Sequence, residues 1–342
     1  MQQLRVGLVG AGGNRVGDAR GMSHARHLAR LDAGKIVAVL DIVEEAVQRS
    51  AAQLEATPYT DFDKFLQHGL DLIILATPDV LHAQQAAYAL ERGVGVVSEV
   101  PGATTVEDGK RLVQAQRKSG GFYMLLENYG YRDEIELIKR MVAAGKFGSV
   151  YFGEGEYLHD CRGLNRFPDG SLTWRGANFS KYVYIWHSLR PLLNILNDRT
   201  TRVSAMMTME PGRLEAEIDI PDNVVALFHT AAGRMLKIRV DIVSPRPHLM
   251  DYYALQGTHG SFEGTRGFGD PARIWLEELD RPTDDLFDIR TNIRFGCIIL
   301  RHYMDRERGN HARALARYNG SGGQLWYPKR VFEAMRKRWY LQ

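Results

Sequence analysis

The chain has 342 residues, 44% hydrophobic and 25% charged, with a formal net charge of +3. That length suggests two domains of ordinary size, and the composition excludes a disordered or collagen-like protein. So small a net charge carries no electrostatic signature of a nucleic-acid or membrane-surface partner, and two cysteines, Cys161 and Cys297, are too few for a disulfide framework or a zinc site. Both cysteines are read as buried thiols in a reducing compartment.

The first 126 residues alternate short apolar runs with helical patterns. The runs are Leu4–Val9, Ile36–Asp41, Leu72–Ala76, Val94–Glu99 and Phe122–Leu126. Helices are expected over His82–Arg92 and over Val106–Ser119, with Val106, Leu112 and Val113 on one face of the second. Strand and helix in alternation build a parallel sheet covered on both sides. Another helix is expected over Glu134–Ala144.

Beyond residue 126 the pattern changes to strict alternation at Leu214–Ile220 and Leu236–Ile242, with further strands at Tyr151–Leu158, Val203–Met209, Val224–Thr230 and Tyr252–Gln256. Period-two patterning gives strands with one wet face. The fold class is therefore α/β: an N-terminal Rossmann domain (a doubly wound parallel sheet, 1–126), then an α+β domain with a large, open, mainly antiparallel sheet (127–342). No run approaches the ~20 apolar residues of a membrane span. The first apolar run is strand-sized and leads into a glycine turn, so it is not a signal peptide and a cytoplasmic protein is expected. The last 62 residues carry 13 Lys/Arg against six Asp/Glu, which is read as a solvated helical face and not as a nucleic-acid surface.

Six of the 34 glycines fall within the first 21 residues. Gly10-Ala11-Gly12-Gly13 directly follows the first strand, the arrangement in which backbone N–H groups and a helix N-terminus approach a pyrophosphate. The third glycine of a G-x-G-x-x-G pattern would stand at 15, where this chain has Arg15. Gly10, Gly12, Gly13, Asn14 and Arg15 are the candidate phosphate turn. Asp41 ends the second strand and can accept hydrogen bonds from the two ribose hydroxyls; a carboxylate there repels a 2′-phosphate, which favours NAD over NADP. Asp41 lies 29 residues past Gly12 instead of the usual ~20, a difference that an insertion at Asn14–Ser23 accounts for.

Three further segments complete a pattern: Ala76-Thr77-Pro78-Asp79-Val80-Leu81-His82, Ser98-Glu99-Val100-Pro101-Gly102, and the Gly145-Lys146-Phe147-Gly148 turn. Together with the glycine turn they resemble the Gfo/Idh/MocA oxidoreductase family over most of the chain. The resemblance implies a Rossmann domain and a sheet domain with the active site between them, hydride transfer between nicotinamide and a sugar or polyol, and a homodimer or homotetramer formed through the open sheet. Ordinary dehydrogenases of that family carry Glu-Lys-Pro where this chain has Glu99-Val100-Pro101, and an aspartate four residues before a catalytic histidine where Val183 precedes His187.

Those departures have a pattern of their own. Met124-Leu125-Leu126-Glu127-Asn128, Tyr157-Leu158-His159-Asp160-Cys161-Arg162 and Tyr184-Ile185-Trp186-His187 are similar to segments of the NAD-dependent glycosidase branch, typified by α-N-acetylgalactosaminidases. This branch often carries a late His-Gly-Gly, for which the nearest candidate is Ser321-Gly322-Gly323. The branch implies oxidation of a sugar hydroxyl at C3, elimination across C1–C2, water addition and return of the hydride, with no net redox change. His187 is the expected base, because imidazole titrates near neutral pH, and Tyr184 its partner one helical turn earlier. Thr77, Pro78, His82, Glu99 and Asn128 are expected at the cofactor, and Tyr157, His159, Asp160 and Arg162 at the carbohydrate. No residues have metal-ligand spacing. A simple NAD-dependent sugar or polyol dehydrogenase and a non-catalytic NAD-binding regulatory protein are the alternatives.

Overall fold

The computed structural model describes residues 3–11, 20–31, 33–174, 176, 184–208, 222–267, 269–277, 289–318 and 324–338, with 289–296, 298 and 334–338 described in backbone only. Gly12, Gly13, Asn14, Arg15, Val183, the strand expected at 214–220 and Ser321-Gly322-Gly323 lie outside the described residues.

The first half runs β1 (Leu4–Val9), α1 (Arg20–Leu28), β2 (Gly34–Leu40), α2 (Glu44–Leu54), β3 (Thr57–Tyr59), α3 (Phe62–Leu66), β4 (Leu72–Leu75), α4 (His82–Leu90), β5 (Gly95–Ser98), α5 (Val106–Ser119) and β6 (Tyr123–Leu125). The six strands form one sheet in the order β3-β2-β1-β4-β5-β6, and every pair is parallel. This is the doubly wound order, whose crevice opens at the carboxyl ends of the strands where the order reverses between β1 and β4. Val6, Leu8, Val39, Ile73 and Leu75 are buried, as expected of strands covered on both faces.

The short β3 has no counterpart in the sequence expectation; three residues containing a proline carry too little periodicity to read. The end of the supposed insertion also differs, since residues 20–23 form the first turn of α1. In α5, Thr105 Oγ1 accepts the Asp108 N–H at 3.1 Å and so caps the helix. The buried stripe of α5 is Leu112 and Ala115, whereas Val106 and Val113 are 67% and 47% exposed. Val106 and Val113, seven residues apart, share a face; Leu112 stands about 100° away from Val113, and that side meets α4.

The second half runs α6 (Asp133–Ala143), β7 (Val150–Leu158), α7 (Trp186–Leu196), β8 (Thr200–Met207), β9 (Asn223–Thr230), β10 (Met235–Asp241), β11 (Leu249–Gly257), β12 (Gly260–Glu263), β13 (Arg273–Leu276), α8 (Ile289–Arg306), α9 (His311–Tyr318) and α10 (Trp326–Arg338). Its seven-stranded sheet has the order β13-β12-β11-β7-β10-β9-β8. All pairs are antiparallel except β7 with β10. Ile135, Ile138 and Met141 of α6 and Leu189, Leu192 and Ile195 of α7 pack on one face of this sheet against Leu236, Ile238, Val240 and Leu255.

The opposite face carries ion pairs, Lys237–Glu154 at 2.8 Å and Arg266–Glu156 at 3.3 Å. The basic C-terminal segment is partly tied down: Arg306 pairs with Asp133 of α6, and Arg317 with Glu307. Cys161 is buried but Cys297 is exposed on α8, so the expectation of two buried thiols is corrected; α8 offers Cys297 a surface position and not a core one. Among the described residues, no helix is long and apolar enough to cross a membrane.

Candidate active site

The candidate cofactor residues gather at the carboxyl ends of the first sheet. Gly10, just past β1, has φ +92°, and a Cβ built there would come within 2.5 Å of the Ala76 carbonyl oxygen. Only glycine fits this turn. Asp41, just past β2, is buried; its carboxylate accepts the Ala11 N–H at 2.9 Å and the Val43 N–H at 3.0 Å. The acid is thereby locked against the glycine turn, at the place where a dinucleotide's ribose would need it.

Gly21 supplies what the sequence pattern lacked. A Cβ there would stand 2.3 Å from the Gly10 carbonyl oxygen, so α1 meets β1 at backbone distance. That close helix–strand packing is the task of the third glycine in a dinucleotide fingerprint. The residues present thus fit NAD: a glycine at the strand end where no side chain fits, a carboxylate behind it and a helix brought up close.

Around the next strand ends, Thr77 Oγ1 donates to Gln85 Oε1 at 2.7 Å, and Pro78 is half-buried beside it. His82 is fully buried, and its two ring nitrogens lie 2.8 Å from the carbonyl oxygens of Pro101 and Thr77. Its ring therefore joins the loops after β4 and β5. Glu99 follows β5, and its Oε1 lies 2.6 Å from His24 Nε2 and 3.2 Å from Arg20 Nε. Burial pushes the Glu99 carboxyl up, but the His24 hydrogen bond, the charges of His24 and Arg20 and the Val100 N–H outweigh it and hold the group below its ordinary value. The Val100–Pro101 peptide is cis. Asn128 is exposed at the start of the turn that follows β6.

The second half contributes the rest. Val100 and Pro101 from the first half meet Tyr184, Trp186 and His187 from the second around a small void. His187 is buried in the first turn of α7, and its Nδ1 is 2.7 Å from Glu127 Oε1. Glu127 in turn accepts the Tyr129 N–H at 3.2 Å and the Gly130 N–H at 2.9 Å. Aromatic rings enclose the imidazole: Tyr157 lies parallel at 5.4 Å, Tyr129 edge-on at 4.7 Å, and Tyr184 tilted at 5.5 Å. The expected pair His187 and Tyr184 is thus brought together.

The carbohydrate candidates extend from this cluster. Tyr157 Oη is 2.8 Å from His159 Nδ1, and the His159 ring meets the His248 ring at 4.5 Å. Asp160 and Arg162 form a bidentate pair at 2.8 and 2.5 Å. The Arg162 hydrogen bond holds the Asp160 carboxyl below its ordinary value. Among the described residues, no group of three or more His, Cys, Asp or Glu side chains could hold a metal ion.

Glu127, His24, Arg20, Tyr129 and Tyr253 were not marked as site residues from sequence. Glu127 had a readable signal: a carboxylate at the end of an apolar strand is buried only when paired. Its partner, 60 residues away, had none.

Residues 4–126 match the model described as "Oxidoreductase family, NAD-binding Rossmann fold", and residues 135–263 match the "GFO/IDH/MocA C-terminal domain". The chain belongs to the Gfo/Idh/MocA oxidoreductase family. It is an NAD-binding member of that enzyme family, and three similar proteins illustrate the range within it. A "Glycosyl hydrolase family 109 protein" of Saccharopolyspora erythraea is 31% identical over 311 residues, covering 81% of this chain and 65% of that protein. An "Alpha-N-acetylgalactosaminidase" of Shewanella oneidensis is 27% identical, covering 82% of this chain and 69% of that protein. Among solved structures, the WlbA dehydrogenase of Bordetella pertussis, in complex with NADH and UDP-GlcNAcA, is 26% identical with a TM-score of 0.63, covering 77% of this chain and 78% of that one. The chain spans about 65% of the length of the first of these relatives.

Proposed function

We propose that this protein oxidises a sugar hydroxyl, at C3, as one step of redox-neutral glycoside cleavage. The observation that carries the reading is His187: a buried imidazole with a carboxylate partner, close to Val100, where ordinary dehydrogenases of the family have lysine. The glycosidase names of the 31% and 27% identical relatives support it.

Gly10, Gly12, Gly13, Asn14, Arg15, Asp41, Thr77, Pro78, Glu99 and Asn128, with His82 fixing the loops, would hold NAD, which would supply an acceptor and donor of hydride at the sugar carbon. The protein's own task is proton management. His187 removes the hydroxyl proton of C3 and later returns it. Tyr184, in the same aromatic cluster, serves as its acid/base partner when the C2 proton is lost and regained. Loss of that proton forms the C1–C2 double bond as the C1–oxygen bond breaks; the leaving group takes a proton, and water adds at C1. Tyr157, His159 and the Asp160–Arg162 pair line the sugar's approach. The reaction needs no second glycosidase carboxylate.

The test is a panel of glycosides, α-N-acetylgalactosaminides first, incubated with the protein in D₂O. Deuterium at C2 of the released sugar, without NADH accumulation, is the expected result. NADH accumulation without deuterium at C2 would make the protein a simple sugar or polyol dehydrogenase. NAD binding with neither outcome would make it a non-catalytic NAD-binding protein. We also assign homo-oligomer contact to the open second sheet, whose edge strand β8 exposes Val203 at 61% and Met206 at 82%; a monomer by light scattering would overturn that assignment.

A further inference from the structure

We propose that Glu127 is a positioning residue that fixes His187 with its proton on Nδ1, leaving Nε2 as the proton-accepting atom. The inference rests on the reading of His187 as the base. It begins with a substitution: family dehydrogenases place a carboxylate four residues before the histidine, and this chain has Val183 there. The structure provides a carboxylate from elsewhere, at the end of β6, with Oε1 2.7 Å from Nδ1.

Three features make this more than a chance ion pair. First, the carboxylate itself is fixed. The N–H groups of Tyr129 and Gly130 donate to its two oxygens. Both oxygens already serve as acceptors, so the hydrogen between Glu127 and Nδ1 is assigned to the imidazole. Second, the ring cannot turn over easily to exchange its nitrogens. It is held between the parallel Tyr157 ring and the edge-on Tyr129 ring. Third, the turn bearing Glu127 is tied to the helix bearing His187: Asn194 of α7 donates to the Gly130 carbonyl at 3.0 Å and accepts from Lys139 Nζ at 2.9 Å. Nε2 makes no hydrogen bond among the described residues, so its lone pair is available for a substrate proton.

The test begins with the unsubstituted protein. Long-range ¹H–¹⁵N correlation of the ring nitrogens, with His187 assigned by its loss in His187→Gln, is expected to show the Nδ1–H tautomer above the titration range. A predominant Nε2–H tautomer overturns the proposal. In Glu127→Gln, the Nε2–H form is expected to appear and kcat to fall at least about tenfold, with KM and NAD affinity within about twofold, because an orienting partner acts on the chemical step. In a His187→Gln background, Glu127→Gln is expected to cost no further activity; an additive loss would show that Glu127 does not act through His187. The ring-nitrogen readout requires no turnover. A correct tautomer in a protein that cleaves no glycoside would therefore overturn the proposed reaction and leave the positioning role standing.

Discussion

The backbone carbonyl of His187 accepts a hydrogen bond from the Tyr253 hydroxyl at 2.5 Å, and the cause lies four residues on. In a helix that carbonyl would receive the N–H of residue 191, but Pro191 has none. Tyr253, on β11, supplies the missing donor. Burial above all, with the nearby Glu127 and Asp251 charges, pushes its phenol well above the ordinary tyrosine value, so it remains a donor. The sheet thus holds the first turn of α7, and with it the imidazole. Removing the hydroxyl by Tyr253→Phe leaves a buried acceptor unpaired, a loss of ~1–3 kcal/mol in stability. Urea unfolding checks it. In a Pro191→Ala background, where the helix supplies its own N–H, the same substitution is expected to cost less.

Glu99 gives a prediction with a pH sign. Its carboxyl is held below its ordinary value despite burial, through His24, Arg20 and the Val100 N–H. A depressed carboxyl stabilises the fold fully above its unfolded value of about 4.3, and the contribution is lost as pH falls through the lower folded value. The stability difference between the natural protein and Glu99→Gln is therefore expected to shrink as pH falls below about 5, through the range where the carboxyl takes up its proton. A difference that grew below about pH 5 would contradict the assignment. Denaturant titrations across this range decide it.

These two sites mark where the sequence was readable. The alternation of β1, β2, β4 and β5 with helices was plain because buried parallel strands are nearly continuous apolar runs, and Asp41 and Glu99 could be placed because they end such runs. Contacts across the fold left no local trace. Glu127 and His187 are 60 residues apart, His24 and Glu99 are 75 apart, and Tyr253 reads only as part of a strand. The buried stripe of α5 was misread because three apolar residues do not specify which side a neighbouring helix will cover. Gly21 stood in view, but its spacing from Gly10 hid its task.

His187 itself should separate chemistry from binding. A side chain that handles a proton contributes about 10²–10⁴ in rate. His187→Gln is expected to lose this much in kcat while NADH titrations, followed by nicotinamide fluorescence, are unchanged within about twofold. Its ring touches Tyr129, Tyr157 and Tyr184, none of which belongs to the glycine turn. A parallel loss of NAD affinity would place His187 in the cofactor site and not in proton transfer.

The same substitution at two glycines should have opposite signs. At Gly21 an added methyl would lie 2.3 Å from the Gly10 carbonyl oxygen and 3.2 Å from Leu8 Cδ1. The nearer atom is backbone at the end of a buried strand, so α1 must move off the sheet. Gly21→Ala is expected to cost ~1–3 kcal/mol in stability, as overpacking does, and to weaken NAD binding because α1 leaves the turn it closes. At Gly109, inside α5, an added methyl would meet only Ala103 Cβ, at 3.8 Å. That is ordinary van der Waals contact, and alanine loses less conformational freedom than glycine in a helix. Gly109→Ala is expected to stabilise the protein by ~0.5–1 kcal/mol and to leave NAD affinity unchanged. Thermal unfolding with and without NAD measures both effects together: NAD should raise the midpoint of Gly109→Ala as much as that of the natural protein, and that of Gly21→Ala by less. Equal shifts in all three would show that the approach of α1 to Gly10 supports the fold alone and not the cofactor.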